Sequence, residues 1–220
     1  MKWFWIHAGL FVLQGLPSVA AAAHPEPFGF ALMLERYEVR FAVPDRAVNS
    51  VNEKIGITLW EPAQSEISLG LTLGQLFLSQ SDYPTVAGRD FNGYFVDLSA
   101  SRMFAEFGPT KYLGEVAYGY QQAADSRSEA SVRWHTLRLG GGLRVQISRL
   151  LALSAAATYG ALRGVDNTAR PVQRTVKFEE STNLGATVGV ELNVDRGGYV
   201  GLSVEAGARH GLSLNFARRY

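Results

Sequence analysis

A two-residue alternation that runs through Ser181 to Tyr220 restricts this part of the chain to strands. From Leu184 on, every even position is apolar or small: Leu184, Ala186, Val188, Val190, Leu192 and Val194. Gly185, Thr187, Gly189, Glu191 and Asn193 stand between them. After Asp195-Arg196-Gly197-Gly198 the pattern resumes with Val200, Leu202, Val204, Ala206 and Ala208. It continues through Leu212, Leu214 and Phe216 to a terminal Tyr220. A period of two puts neighbours on opposite faces of a sheet, whereas a helix would need matches three and four apart. One face suits lipid or a core. The other is mostly Gly, Ser and Thr with single carboxylates. That suits the crowded inside of a closed barrel better than the water-facing side of a sandwich.

The rest of the chain allows the same architecture. It has 220 residues, with 23 Gly, 9 Tyr, 12 Phe and no Cys, enough for one domain with a sizeable core. Without cysteine there is no thiolate metal site, cysteine nucleophile or lipoprotein anchor. A net charge of +1 offers no basic excess for nucleic acid, which is excluded as a partner. No cofactor is expected.

The N-terminus reads as a secretory signal. Lys2 supplies the positive end, and Trp3 to Leu16 is apolar apart from His7 and Gln14. Pro17 breaks the run, and Ser18-Val19-Ala20-Ala21-Ala22-Ala23 offers a cleavage site after Ala23. The apolar run is shorter than the roughly twenty residues a helical span needs. The expected organisation is residues 1–23 as signal and 24–220 as one barrel domain.

Strands alternate with polar connections from Phe28 onward. In the first strand, Phe28 to Val43, the apolar phase moves from even positions (Phe30, Leu32, Leu34) to odd ones (Tyr37, Val39, Phe41). This predicts a bulge near Glu35, with Arg36, Glu38 and Arg40 on the inner face beyond it. Further strands are predicted around Ile55–Trp60, Ile67–Leu73, Phe91–Phe104, Tyr112–Gln121, Val132–Ile147 and Leu151–Tyr159. Pro44–Asn52, Ser79–Asp90, Ala123–Glu129 and Arg163–Glu180 read as the longer polar loops. Glu61–Ser65, Glu106–Thr110 and Ser148–Leu150 read as short turns. Near the end, the apolar phase stays even across Arg209-His210-Gly211. A three-residue loop with Ala208 facing Leu212 preserves that phase and gives ten strands. One long strand from Tyr199 to Phe216 would give eight. The expected fold is therefore an all-β, closed, antiparallel up-and-down transmembrane barrel of eight to ten strands, with ten preferred.

This pattern, over Phe28 to Tyr220, resembles the small outer-membrane β-barrel proteins of Gram-negative bacteria, the group of OmpA and OmpX. It is a likeness of pattern and not of a motif. It implies outer-membrane localisation, with long loops outside and short turns in the periplasm. Leu212, Leu214, Phe216 and Tyr220 then match the terminal strand that the barrel assembly machinery reads. Arg218 departs from that pattern and can snorkel at headgroup level. Trp60, Phe104, Phe107, Tyr112, Tyr118, Tyr159 and Tyr199 near strand ends suit membrane girdles.

Ten charged residues fall on the predicted inner faces: Arg36, Glu38, Arg40, Lys54, Asp97, Glu115, Arg138, Arg144, Glu191 and Glu205. A narrow lumen forces such charges to pair. The expectation is a charge-filled barrel with a structural or surface-interaction role and no enzymatic activity. Alternatives are a narrow pore for small solutes, a lipid A-modifying enzyme, and a secreted soluble barrel that holds an apolar ligand inside. For the enzyme, His24, His135 and His210 are the histidines of the mature chain, and none lies in a recognised pattern with Ser. No metal spacing occurs, and Gly140-Gly141-Gly142 lies within a strand rather than a phosphate loop. Expected partners are outer-membrane lipid and lipopolysaccharide, the assembly machinery, and an extracellular ligand through the long loops. Arg163, Arg170 and Arg174, set against Asp166, Glu179 and Glu180, could bind lipopolysaccharide phosphates or solvate their loop, and solvation is the expectation.

Overall fold

The computed structural model describes residues 28–44, 46–61, 67–80, 89–125, 129–168, 174–195 and 197–220. The expected signal segment lies outside them. So do parts of all four expected loops and most of the Glu61–Ser65 turn. Eleven strands make one antiparallel sheet: β1 Gly29–Val43, β2 Arg46–Trp60, β3 Ile67–Gln80, β4 Arg89–Phe107, β5 Thr110–Asp125, β6 Ala130–Gln146, β7 Leu151–Thr168, β8 Arg174–Glu180, β9 Leu184–Asn193, β10 Gly198–Gly207 and β11 Arg209–Arg219. Strand β1 pairs with β11, which closes the sheet on itself.

The barrel has a different strand count at its two ends. At the end that holds Phe28 and Tyr220, the near end, β1 to β7 are joined by β9, β10 and β11, a ring of ten. The β10–β11 hairpin turns at Gly207-Ala208-Arg209, well short of the other strands. Beyond it, β8 pairs with the extension of β7 (Arg163–Thr168) on one side and with Phe41 and Ala42 of β1 on the other. The seven strands plus β8 make a ring of eight at the far end. The chain therefore uses ten strands where it meets the apolar belt and eight beyond it.

The alternation explains which face looks out. Along β5, β6, β7 and β9 the outward residues line up in rows. Val116, Leu139, Tyr159 and Leu184 are successive partners. The neighbouring row is Tyr118, Leu137 and Ala161. Ile55, Ile57, Leu69, Leu73, Leu98 and Leu202 continue this belt around the barrel and are exposed. An apolar surface of this extent is not left in water by a monomeric protein. It is the outward band of a membrane-spanning barrel.

Several sequence expectations are corrected. Strand β1 has no bulge near Glu35, because its registers with β2 and β11 run unbroken. The register shift lies in β4 between Met103 and Ala105, with Phe104 turned out at the belt edge. Gly114 leaves the space that the Phe104 ring fills. The final hairpin pairs Val204 with Leu212, not Ala208 with Leu212. The even phase is kept, but the turn comes two residues earlier, with Gly207 at φ 103°. The Pro44–Asn52 segment is no loop, since β2 begins at Arg46. Ala123–Asp125 and most of Arg163–Glu180 are strand as well. The asymmetry between the two ends thus lies in strands that extend past the belt, more than in loop length.

Small residues shape the wall. Gly56 faces Gly74 across β2 and β3, and Gly74 faces Phe95 of β4. A Cβ on Gly56 would stand 2.6 Å from Phe95 Cζ. The glycine is the floor on which that ring lies. Gly56→Ala is expected to push the ring off its seat at a cost of about 1–3 kcal/mol, read as a lower urea midpoint for the unfolding of the refolded barrel. In the β9–β10 turn, the amides of Gly197 and Gly198 donate to Asp195 at 2.8 and 2.6 Å. These bonds hold the Asp195 carboxyl below its usual range.

Candidate functional site: a polar cup beneath an apolar plug

The inside of the barrel is divided along its axis. In the far half a cluster of apolar side chains fills much of the interior, with the buried polar residues Ser50, Asn52, Gln80, Gln121, Asp125 and Asp166 around it. Strand β1 contributes Tyr37, Val39 and Phe41, β3 contributes Leu76 and Leu78, and β4 contributes Phe91 and Phe95. Val132 and Trp134 of β6, Leu162 of β7 and Phe178 of β8 complete the cluster. Phe41 lies 4.6 Å from Phe178 and 6.1 Å from Trp134, ring centre to ring centre. Trp134 and Phe41 are 0% and 2% exposed, so both rings are enclosed in this layer. The eight-strand ring is narrow enough for side chains alone to fill it.

A charged layer floors the plug. Lys54 on β2 lies 3.4 Å from Asp97 and 3.8 Å from Glu35, with its ammonium 4.6 Å from the Phe95 ring centre. Arg209, the first residue of β11, lies 3.4 Å from Glu180, the last residue of β8. The two side chains are only 3% and 2% exposed. Tyr37 stands between the cations, 5.5 Å from Lys54 and 4.9 Å from Arg209, and its hydroxyl donates to Gln121 Oε1 at 3.2 Å. The Arg209–Glu180 pair joins the short hairpin to the strand that replaces it. It closes the seam where the ring changes from ten to eight.

Below this layer the lumen is polar and open toward the near end. One cavity of about 370 Å³ is lined by Glu35, Glu115, Arg138, Thr158, Thr187 and Glu205 among others. A second of about 460 Å³ continues past Ser99, Ser101, Ser154, Glu191 and Tyr199. Arg144 donates to both oxygens of Glu191, with contacts at 3.2, 3.1 and 2.9 Å. Hydroxyls and charged side chains line much of the cup, and it ends at the Tyr37 layer.

Seven of the ten expected lumen charges point inward: Lys54, Asp97, Glu115, Arg138, Arg144, Glu191 and Glu205. The other three do not. Arg36, Glu38 and Arg40 are exposed on the outer surface of β1. Arg36 pairs there with Glu53 of β2 at 3.0 Å. Their change of phase marks a change of surroundings. Past Leu34 the outside becomes polar while the inside becomes the apolar plug. The sequence reading missed Glu35, Tyr37, Glu180 and Arg209. Arg209 carried a usable signal, because it shares the odd, inward phase of Gly211 and Ser213. Glu180 carried none, since β8 sits inside a segment that reads as loop.

The expected assembly residues lie together. Leu212, Leu214 and Phe216 point outward along β11, and the Tyr220 ring stacks on Phe28 at 5.2 Å. Arg218 lies 3.6 Å from Asp195 at the near rim. His135 is exposed on β6, with Nδ1 at 2.6 Å from the Tyr118 hydroxyl and its ring 5.1 Å from Tyr120. His210 is exposed beside the hairpin turn.

No protein-family model and no curated protein matches the sequence. Solved structures match the fold. The beta domain of the Bordetella autotransporter BrkA superposes with a TM-score of 0.51 at 15% identity, over 89% of this chain and 99% of that one. The outer-membrane protease OmpT from Escherichia coli gives 0.52 at 8% identity, over 91% and 99%. At these identities the likeness is one of architecture. The chain has the fold of the outer-membrane β-barrels, closed and antiparallel, with its apolar face turned outward.

Proposed function

We propose that this chain is a non-conducting barrel of the Gram-negative outer membrane that serves a structural or surface-interaction role through its far rim. The belt of exposed Leu, Ile and Val supports insertion. The amphipathic last strand supports an orientation with both termini in the periplasm and the eight-strand end outside. The observation that carries the reading is the plug: Tyr37, Phe41, Phe95, Trp134 and Phe178 are buried together in the outer half of the lumen among the described residues. A pore needs a wetted path lined by polar groups, and here the polar cup ends at the plug.

Planar-bilayer recording tests this. The refolded chain is expected to give no unitary conductance in 1 M salt, while its boiled and unboiled forms run differently on a gel, as an inserted barrel does. Steady stepwise currents from the same preparation would overturn the non-conducting reading.

A further inference from the structure

The outer surface of β5 to β8 changes in three steps away from the belt. Tyr118, Leu137 and Ala161 form one row. Next come Tyr120, His135, Arg163 and Glu179, then Gln122, Arg133, Val165 and Lys177. Arg133 and Lys177 flank Val165 on its two neighbouring strands, and Arg163 lies two residues along β7. The three cations form a triangle around one aliphatic side chain. They line an outward hollow of about 510 Å³ with Tyr120, His135 and Glu179. Glu179 lies 3.5 Å from Arg163, and both are largely exposed, so that pair is weak. Arg133 and Lys177 make no ion pair with any described residue.

We infer that this hollow binds the phosphate-bearing headgroup of an outer-leaflet lipid. The inference rests on the membrane placement proposed above. Three bases against one carboxylate give surplus positive charge where a headgroup layer would lie, and guanidinium groups match phosphate oxygens in pairs. A soluble polyanion would satisfy the charge alone. The site also has an apolar ladder directly below it, from Tyr118 and Leu137 to Val116, Leu139 and Tyr159, in line with the acyl chains of a lipid whose phosphate sits above. Tyr118 and Tyr120 against His135 supply the amphipathic rings that favour that boundary. For Arg163 this selects phosphate binding over the loop solvation expected from the sequence.

The test is native mass spectrometry of the refolded barrel with diphosphorylated lipid A and with its dephosphorylated form. Each sample is first checked for insertion by its heat-dependent gel shift. Failure to insert would sink the membrane placement itself, separately from the lipid site. The wild type is expected to retain the diphosphorylated lipid at least about tenfold better than the phosphate-free form. Arg133→Gln with Arg163→Gln and Lys177→Gln is expected to abolish that preference. Arg36→Gln, which removes a cation already paired with Glu53, is expected to keep it. Equal retention of both lipids by the wild type, or an unchanged preference in the triple variant, would overturn the proposal. So would displacement of the lipid by inorganic pyrophosphate at equal concentration, which would point to a soluble anion.

Discussion

Arg209→Met is expected to lower the unfolding free energy by about 3–5 kcal/mol, because it leaves Glu180 buried without its cation. Both side chains are almost fully enclosed, and they sit where the hairpin ends and β8 takes over the wall. Glu180 Oε2 already has no hydrogen-bond partner among the described residues, and Arg138 is a second, weaker cation acting on it. Methionine keeps most of the volume and the contact with Tyr37, which isolates the loss of charge. Adding Glu180→Gln to Arg209→Met is expected to recover much of the loss, since a buried pair removed together costs far less than one partner removed alone. Urea titration of the refolded chain, read by gel mobility without boiling, measures all three forms. A loss under about 1 kcal/mol for Arg209→Met would mean that the seam is held by the backbone pairing of β1 with β8 and β11.

Trp134→Ala is expected to cost about 3–5 kcal/mol through the cavity it leaves in the plug. The ring is fully buried and packs on Phe41 and Phe178. Strands on either side of it are already at full pairing distance, so the wall cannot collapse to fill the hole. Trp134→Phe should cost less than half as much. It keeps an aromatic ring and removes an indole N–H that has no partner among the described residues. The same urea titration separates the two variants. Because Phe41 and Phe178 remain in ring contact, neither variant is expected to open the barrel.

What could be read from the sequence follows from what alternation measures. A period of two reports a contrast between two faces, and this was enough to place most strands and to keep the even phase through the last hairpin. It does not say which face is inside. On β1 the outer face passes from lipid to polar surroundings at the point where the inner face passes from polar cup to apolar plug. Both faces change at once, so the sequence phase slips although the register does not. That is why Arg36, Glu38 and Arg40 read as lumen charges and Glu35 as a bulge. The uncertainty between eight and ten strands had a physical counterpart, since the wall has ten strands at the belt and eight at the plug. Strand β8 was hidden because its outward positions, Thr175, Lys177 and Glu179, are polar and it is only Arg174–Glu180 long. Arg209 and Glu180 lie far apart in the chain and meet only once β8 has been placed.

Adjacent cysteines on β4 test the central arrangement most directly. The natural chain has none, so each introduced thiol is unique. Leu98 points out into the belt and is 53% exposed, whereas Ser99 lines the polar cup. Leu98→Cys and Ser99→Cys would each be reconstituted in lipid vesicles and treated with a water-soluble maleimide. The account predicts rapid labelling of Ser99→Cys through the open near end and protection of Leu98→Cys by lipid. Labelling of Leu98→Cys with protection of Ser99→Cys would contradict it, and would mean that the apolar face of this sheet is turned away from the membrane.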